Sequence, residues 1–401
     1  MKSISELPVE IIVGGSLPDI YVRPLRPYSS EAIEFLSALS SRIFQSPALR
    51  EFPDLAAFAY WCRRANLVRL SQSFDVSYQR IGRGLVLHIA PGNVPVNFAF
   101  SLAFGLLAGN GNIVRISAIN PQTEIICDEI SNLLTNALYS RMEGMIRIIR
   151  YPRNDAITSK LSMICHARVL WGGDKTVSHL RSIPTSPRCV DVCFPNRYSL
   201  CILGANSILN INEKSLSTLV RGFYNDAFLL DQNACSSPRL VLWQGDEDEV
   251  AQAMNRFWQA MESFLQMKPT PPSIQAVEKF SQACLSAIFI KNSKALVRHQ
   301  NLIHRIYLDN VPCNIRSYPG RYGFFYEAID TKLINLKSII DEHYQTVSFF
   351  GTEKEDIVNL VYEYGLTGID RIVPVGKALD MGAVWDGYDM IGMLSRIISS
   401  N

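Results

Sequence analysis

Between residues 30 and 72 apolar side chains return every third or fourth position, at Phe35, Leu39 and Ile43 and then at Leu55, Phe58, Ala59 and Trp61. That spacing predicts helices with one buried face. From Gly84 the rhythm changes. GLVLHIA (84–90) is a short apolar run that stops at Pro91-Gly92-Asn93, Val94 to Ala108 reads as a buried helix, and NIVRIS (112–117) reads as a strand. Asn120 followed by Pro121 marks a helix start, and PQTEIICDEISNLLTNAL continues it with helical period. Further strands are expected at MIRIIRY (145–151), ARVLW (167–171) and RYSLCIL (197–203). Strands alternating with helices make a parallel sheet covered on both faces. Ligands of such sheets sit beyond the carboxyl ends of the strands, where Pro91-Gly92-Asn93 and Trp171-Gly172-Gly173-Asp174 fall. The pattern resumes past 238 with the strand PRLVLWQ, the helix DEDEVAQAMNRFWQAMESF, a loop KPTPPS (268–273), and strands near AIFI (287–290), TVSFF (346–350) and DRIVPV (370–375). A second α/β domain therefore starts near residue 196.

Composition excludes more than it assigns. The 401 residues, 48% hydrophobic and 19% charged, suffice for two domains, and 39 basic against 37 acidic residues leave a formal charge of +2. There is no global electrostatic case for nucleic acid or an anionic membrane. The longest apolar stretch is too short to span a bilayer and contains Pro95, Asn97 and Ser101. Nine scattered cysteines without a C-x-x-C pair suggest neither a disulfide framework nor a zinc site, so no metal is expected. With acids in MKSISELPVEII where a signal peptide needs a basic start, a cytoplasmic protein is expected.

Familiar catalytic marks are missing. Gly109 and Gly111 precede a strand where a dinucleotide fingerprint must follow one, Gly376-Lys377 is followed by Ala378 and not by Ser or Thr, and no G-x-S-x-G occurs. His88 and His166 lie in or near predicted strands and read as satisfied structural residues. DQNACSSPR (231–239) is different. It puts Cys235 among small and polar neighbours, between a helix (Ser215 to Leu230) and a strand (Arg239 to Trp243), where a core cysteine would have apolar ones. That is a position from which a nucleophile is presented at a cleft.

Four segments in this order, HIAPGNVPVNF (88–98), GLLAGNGNIVRIS (105–117), WGGDKTV (171–177) and DQNACSSPR, resemble the aldehyde dehydrogenase superfamily. The closer likeness is to its acyl-CoA reductase branch, the LuxC-like long-chain fatty acyl-CoA reductases, which GIDRIVPVGKALDMGAVWDGYD (368–389) also resembles. The resemblance implies an α/β fold of a Rossmann-type cofactor domain and a second, catalytic α/β domain. It divides the chain into 1–195, with N-terminal helices and the NADP(H) site, 196–370, carrying the nucleophilic cysteine, and a C-terminal segment 371–401 that returns to the cofactor domain or forms an interface. It implies Cys235 as nucleophile and Asn93 as the oxyanion-stabilising amide. Arg115 and Ser117 would meet the adenosine ribose, Gly172, Gly173 and Asp174 would form the glycine-containing turn facing the cofactor, and Glu342 would hold the nicotinamide ribose. Arginine at 115 offers a fork suited to a 2′-phosphate, which favours NADPH over NADH.

Where hydrolytic members carry a water-activating glutamate, DVCFPNRYS (191–199) has none, which favours acyl transfer to and from CoA over release of a free acid. The implied function is NADPH-dependent reduction of an acyl-CoA or acyl-protein thioester to an aldehyde through a thioester on Cys235. A homo-oligomer, and a complex with acyl-transfer enzymes, follow by analogy. Three alternatives stay open: a CoA-acylating aldehyde dehydrogenase working oxidatively, an acyltransferase or acyl carrier that holds the acyl group on Cys235 without hydride chemistry, and a non-catalytic scaffold. The site residues also have plainer roles, Asn93 in its turn, Arg115 as a solvated strand-end charge, Gly172 and Gly173 as punctuation and Asp174 as a helix cap. Whether His343 assists Cys235 is not set by the sequence.

Overall fold

A computed structural model describes residues 7–399 except Tyr21, Asn93 and Asn292, with the backbone alone at Ile334. The chain forms two compact units, residues 1–195 with 381–401, and residues 196–380.

The first unit is built on a six-stranded sheet ordered Glu10–Val13, Ile146–Arg150, Gly111–Ile116, Leu85–Ile89, Ala167–Trp171, Val190–Phe194, all parallel except the antiparallel Glu10–Val13 edge. The chain runs outward from Leu85–Ile89 in one direction and then returns to its other side with Ala167–Trp171. That reversal creates a topological switch point. Helix Asn97–Leu107 is apolar nearly all round and is buried against the sheet. Gly105 permits its close approach, because a Cβ there would lie 1.9 Å from Asn112 Oδ1. Asn112 Oδ1 in turn meets His88 Nε2 at 3.0 Å, and His88 Nδ1 meets Ser101 at 2.7 Å, so the wholly buried imidazole is a satisfied core residue whose pKa burial lowers to about 4. His166 also has a structural partner, its Nδ1 accepting from Leu85 N, but at an exposed position.

The expected N-terminal helices are Ser30–Gln45, Pro53–Trp61 and Arg64–Gln72. Phe58 and Trp61 pack edge-to-face on Phe100 and Phe104 of the central helix. Asn120 caps helix Pro121–Leu134 by accepting from Thr123 N at 3.0 Å. At the far end of the chain, strand Ser395–Ile398 pairs antiparallel with Gln79–Gly82, and Asn110 donates to Leu394 O at 2.9 Å.

The second unit holds a seven-stranded sheet ordered Ser293–His299, Ile303–Leu308, Phe324–Ile329, Pro238–Gln244, Tyr198–Gly204, Tyr344–Phe350, Arg371–Pro374, parallel except for its first pair. Two expectations are corrected here. Arg371–Pro374 is the last strand of this sheet, so the segment that rejoins the first unit begins at Met381 and not at 371. AIFI (287–290) is not a strand: it lies at the end of helix Ser273–Phe289. That helix has inverted polarity. Its buried face carries Gln275, Lys279 and Ser286, while Ile274, Val277, Phe280, Ile288 and Phe289 are exposed. The inversion is supported by partners in the core, since Lys279 donates to Tyr322 O at 2.8 Å and Gln282 and Ser286 meet the Tyr326 hydroxyl at 2.9 and 2.8 Å. A short apolar run looks the same in a buried strand and on an uncovered helix face. Among the described residues, which include all nine cysteines, no disulfide is formed, and no described helix is long and apolar enough to cross a membrane.

Deep in the second unit, Glu327 accepts from Trp243 Nε1 at 2.9 Å, from Trp258 Nε1 at 2.7 Å and from Arg305 at 2.7 Å. Removing the carboxylate leaves a buried guanidinium without its counter-charge. Glu327→Ala is expected to destabilise the protein by about 3–5 kcal/mol, read as a fall in the urea midpoint of tryptophan fluorescence.

Candidate active site

Within the first unit a cavity of about 790 Å³ opens at the carboxyl ends of strands Leu85–Ile89, Gly111–Ile116, Ile146–Arg150 and Ala167–Trp171. Pro91 and Gly92 form one lip. A Cβ on Gly92 would stand 2.7 Å from Ser117 Oγ, so glycine lets the Ser117 hydroxyl lie against this turn. Arg115 is partly buried, donates to Tyr151 O at 3.1 Å and stands over the Tyr151 ring at 5.3 Å from its centroid. Its Nε is buried without a protein partner. Burial, opposed by Tyr151 and reinforced by the neighbouring Arg153 cation, lowers the Arg115 pKa below the ordinary guanidinium value.

On the other side of the cavity, helix Asp174–Ser182 starts after Gly173, which contributes no side-chain cap. Gly172, Gly173, Lys175 and Thr176 line the wall, so the positive end of the helix dipole faces the cavity. A dinucleotide fits these features. The volume lies within the range of about 300–1,000 Å³ usual for ligand sites, a helix start and Lys175 suit a diphosphate, and Arg115 retains an unused donor.

The second unit presents Cys235. The loop after helix Glu213–Ala227 turns through left-handed Asp231 and Gln232 (φ 53° and 56°) and delivers an exposed Cys235 three residues ahead of strand Pro238–Gln244. Gln232 is wholly buried and uses both ends of its amide, donating to Pro238 O at 3.0 Å and Phe324 O at 3.2 Å and accepting from Gly323 N at 2.7 Å and Phe324 N at 3.1 Å. Ser199 Oγ donates to Cys235 O at 2.7 Å and accepts from Thr346 N at 3.2 Å. Arg239 is buried and donates to Gln232 O at 3.0 Å and Gly320 O at 3.2 Å. Burial lowers the Arg239 pKa, while the charge of an ionised Cys235 works in the opposite direction. That coupling is mutual: the guanidinium favours the thiolate.

Of the residues expected from the sequence, the structure gathers Arg115, Ser117, Gly172 and Gly173 around the cavity. Asp174 is the exposed first residue of its helix and is not among the lining residues. A carboxylate at a helix start complements the dipole whether or not it faces a ligand. Asn93 lies outside the described residues, though its neighbours Pro91 and Gly92 line the cavity. Glu342 is exposed just ahead of strand Tyr344–Phe350, its carboxylate 3.9 Å from His343 Nδ1, while His343 lies nearer Asp341 at 3.2 Å. The carboxylate of 191–199, Asp191, is bound by Arg168 through both oxygens at 2.7 and 2.6 Å. The sequence did not single out Arg153, Lys175 or Arg239. Lys175 and Arg239 stand inside quoted motifs, but only the folded chain turns them toward a site.

The sequence model of the acyl-CoA reductase (LuxC) family matches residues 28–397. The long-chain acyl-protein thioester reductase of Vibrio harveyi is 24% identical over 332 residues, covering 79% of this chain and 64% of that protein. Its namesake from Aliivibrio fischeri is 27% identical over 168 residues, covering 41% and 33%. The chain thus matches less than two thirds of the length of either relative. Among solved structures, the NAD-dependent benzaldehyde dehydrogenase from Corynebacterium glutamicum superposes with a TM-score of 0.61 at 12% identity, over 92% of this chain and 85% of that one. The fold is that of the aldehyde dehydrogenases.

Removing the Arg239 cation should move ionisation of Cys235 to higher pH. In Arg239→Met the pH profile of iodoacetamide alkylation at Cys235 is expected to shift upward and labelling at pH 7.5 to slow. Arg239→Lys, which keeps the charge, should retain most of the rate.

Proposed function

Because the chain belongs to the acyl-CoA reductase (LuxC) family, we propose that it reduces an acyl thioester, acyl-CoA or acyl-protein, to an aldehyde, with Cys235 as the nucleophile. The observation that carries this proposal is the presentation of Cys235: an exposed thiol on a loop fixed by Gln232 and Ser199, with a buried guanidinium coupled to it. A thiol kept for packing would be buried among apolar groups; this one is held out by polar scaffolding.

In the proposed reaction the Cys235 thiolate attacks the thioester carbonyl carbon. The carbonyl electron pair moves onto oxygen, and collapse of the tetrahedral adduct expels the thiolate of CoA or of the carrier, leaving the acyl group on Cys235 Sγ. Asn93 and the Cys235 backbone N–H are proposed as the donors to the oxyanion. A reduced nicotinamide, when bound, supplies the hydride that brings the acyl carbon to the aldehyde level, with Cys235 leaving as thiolate. Arg239 favours the thiolate at the first step and again on its release. The cavity of the first unit would hold the dinucleotide, with Arg115 and Ser117 toward the adenosine ribose and Gly172, Gly173 and Lys175 toward the diphosphate; Glu342 is proposed, from the resemblance alone, as the residue that holds the nicotinamide ribose. NADPH is the preferred form, because the Arg115 fork suits a 2′-phosphate. Asp191 is committed to Arg168, which supports acyl transfer to a thiol over hydrolysis. A cytosolic homo-oligomer that receives its substrate from acyl-transfer enzymes completes the proposal.

The test is NADPH oxidation at 340 nm with acyl-CoAs of graded chain length, alongside Cys235→Ser. Turnover is expected in the wild type and loss of at least about a thousandfold in the variant, as for other covalent nucleophiles. Mass spectrometry should find the acyl group on Cys235 when dinucleotide is withheld. A stable acyl adduct with no turnover under any cofactor would instead make the protein an acyl carrier.

A further inference from the structure

Resting on the proposal that the first-unit cavity holds a nicotinamide dinucleotide, we propose that Arg153 is a specificity-determining residue that closes a two-cation clamp with Arg115 on a phosphate attached to the adenosine ribose. Arg115 is placed in advance, one donor spent on Tyr151 O and its guanidinium set over the Tyr151 ring, with Nε left without a protein partner. Arg153 follows two residues after Tyr151, in the turn between strand Ile146–Arg150 and Asn154, which caps the next helix. Both arginines line the same cavity, and Arg153 is close enough to lower the pKa of Arg115.

Two guanidiniums side by side repel, and a wall that keeps them there is suited to an anion that joins them. The carboxylate among the residues lining the cavity is Asp155, and it is already paired with His179 at 2.9 Å. A dianionic phosphate monoester matches what remains, two forked cations with the Ser117 hydroxyl beside them.

The sheet order separates this anion from the diphosphate. Arg115 and Arg153 belong to strands Gly111–Ile116 and Ile146–Arg150, whereas Gly172, Gly173 and Lys175 follow Ala167–Trp171, with Leu85–Ile89 between the two groups. At the spacing of neighbouring strands the two cationic groups lie about 10–15 Å apart. One diphosphate does not span that distance, so the clamp addresses a second phosphate at the far end of the ligand.

The experiment measures dissociation constants of the full chain for NADPH and NADH by calorimetry, and for the fragments 2′,5′-ADP and 5′-AMP, in wild type, Arg153→Ala and Arg153→Lys. Because Arg153 is exposed, the alanine variant is expected to fold. Arg153→Ala should weaken NADPH and 2′,5′-ADP by about 10- to 100-fold, the loss usual for a charged hydrogen-bond partner, and leave NADH and 5′-AMP unchanged, with Arg153→Lys in between. Equal weakening of both dinucleotides, or an unchanged ratio in a wild type that binds them, would overturn the clamp alone. A wild type that binds neither would overturn the cofactor assignment and the clamp with it.

Discussion

A single buried charge, the guanidinium of Arg168, organises the cavity of the first unit. It is 2% exposed, and an ion withdrawn so far from water must have all its donors met by the protein. Asp191 takes two of them, and Nη1 is shared by Ser162 Oγ, Leu180 O and Ile183 O at 3.1–3.2 Å. Those acceptors belong to the neighbouring strand and to the carboxyl ends of helices Asp155–Ile164 and Asp174–Ser182. Both helices are therefore fastened at their carboxyl ends, and their amino ends, with Asn154 and Gly173, line the cavity. The electrostatics of the opening follow from the desolvation of a charge beneath it.

The second unit uses the same device around its thiol. Arg239 is buried beside its own loop and satisfies itself on two backbone carbonyls, Gln232 O and Gly320 O. Loop carbonyls with no ladder partner thereby gain donors, and the loop gains one conformation. The left-handed residues Asp231 and Gln232 are sustained because the Gln232 amide is saturated on both sides. Cys235 is consequently exposed and also fixed, whereas exposure alone would leave a mobile thiol. The fixed loop and the charge that acts on its thiol come from one side chain.

What the sequence made legible was local. Asn120-Pro121 announces its helix because an N-cap acts within four residues, and the strands about 88, 114, 148 and 169 announce themselves because a doubly covered strand is apolar throughout. The motifs of the resemblance brought attention to Arg115, Ser117 and Cys235 for the same reason, each being short and contiguous. What stayed hidden was set by distant chain. Arg153 acquires meaning from Arg115, a strand away, and Lys175 rather than Asp174 lines the cavity because of which way one helical turn faces. AIFI misleads for a related reason: its apolar side chains imply burial, yet the buried face of that helix is the one whose polar groups find Tyr326 and the Tyr322 carbonyl.

The ion pair beneath the first-unit cavity also commits a carboxylate of the stretch 191–199. Asp191 cannot serve as a base while it neutralises Arg168 through both oxygens. Freeing that carboxylate to activate water would leave a buried guanidinium uncompensated, at a cost of about 3–5 kcal/mol, and would loosen the two helices whose ends it fastens. A free Asp191 carboxylate and an ordered cavity are therefore in opposition.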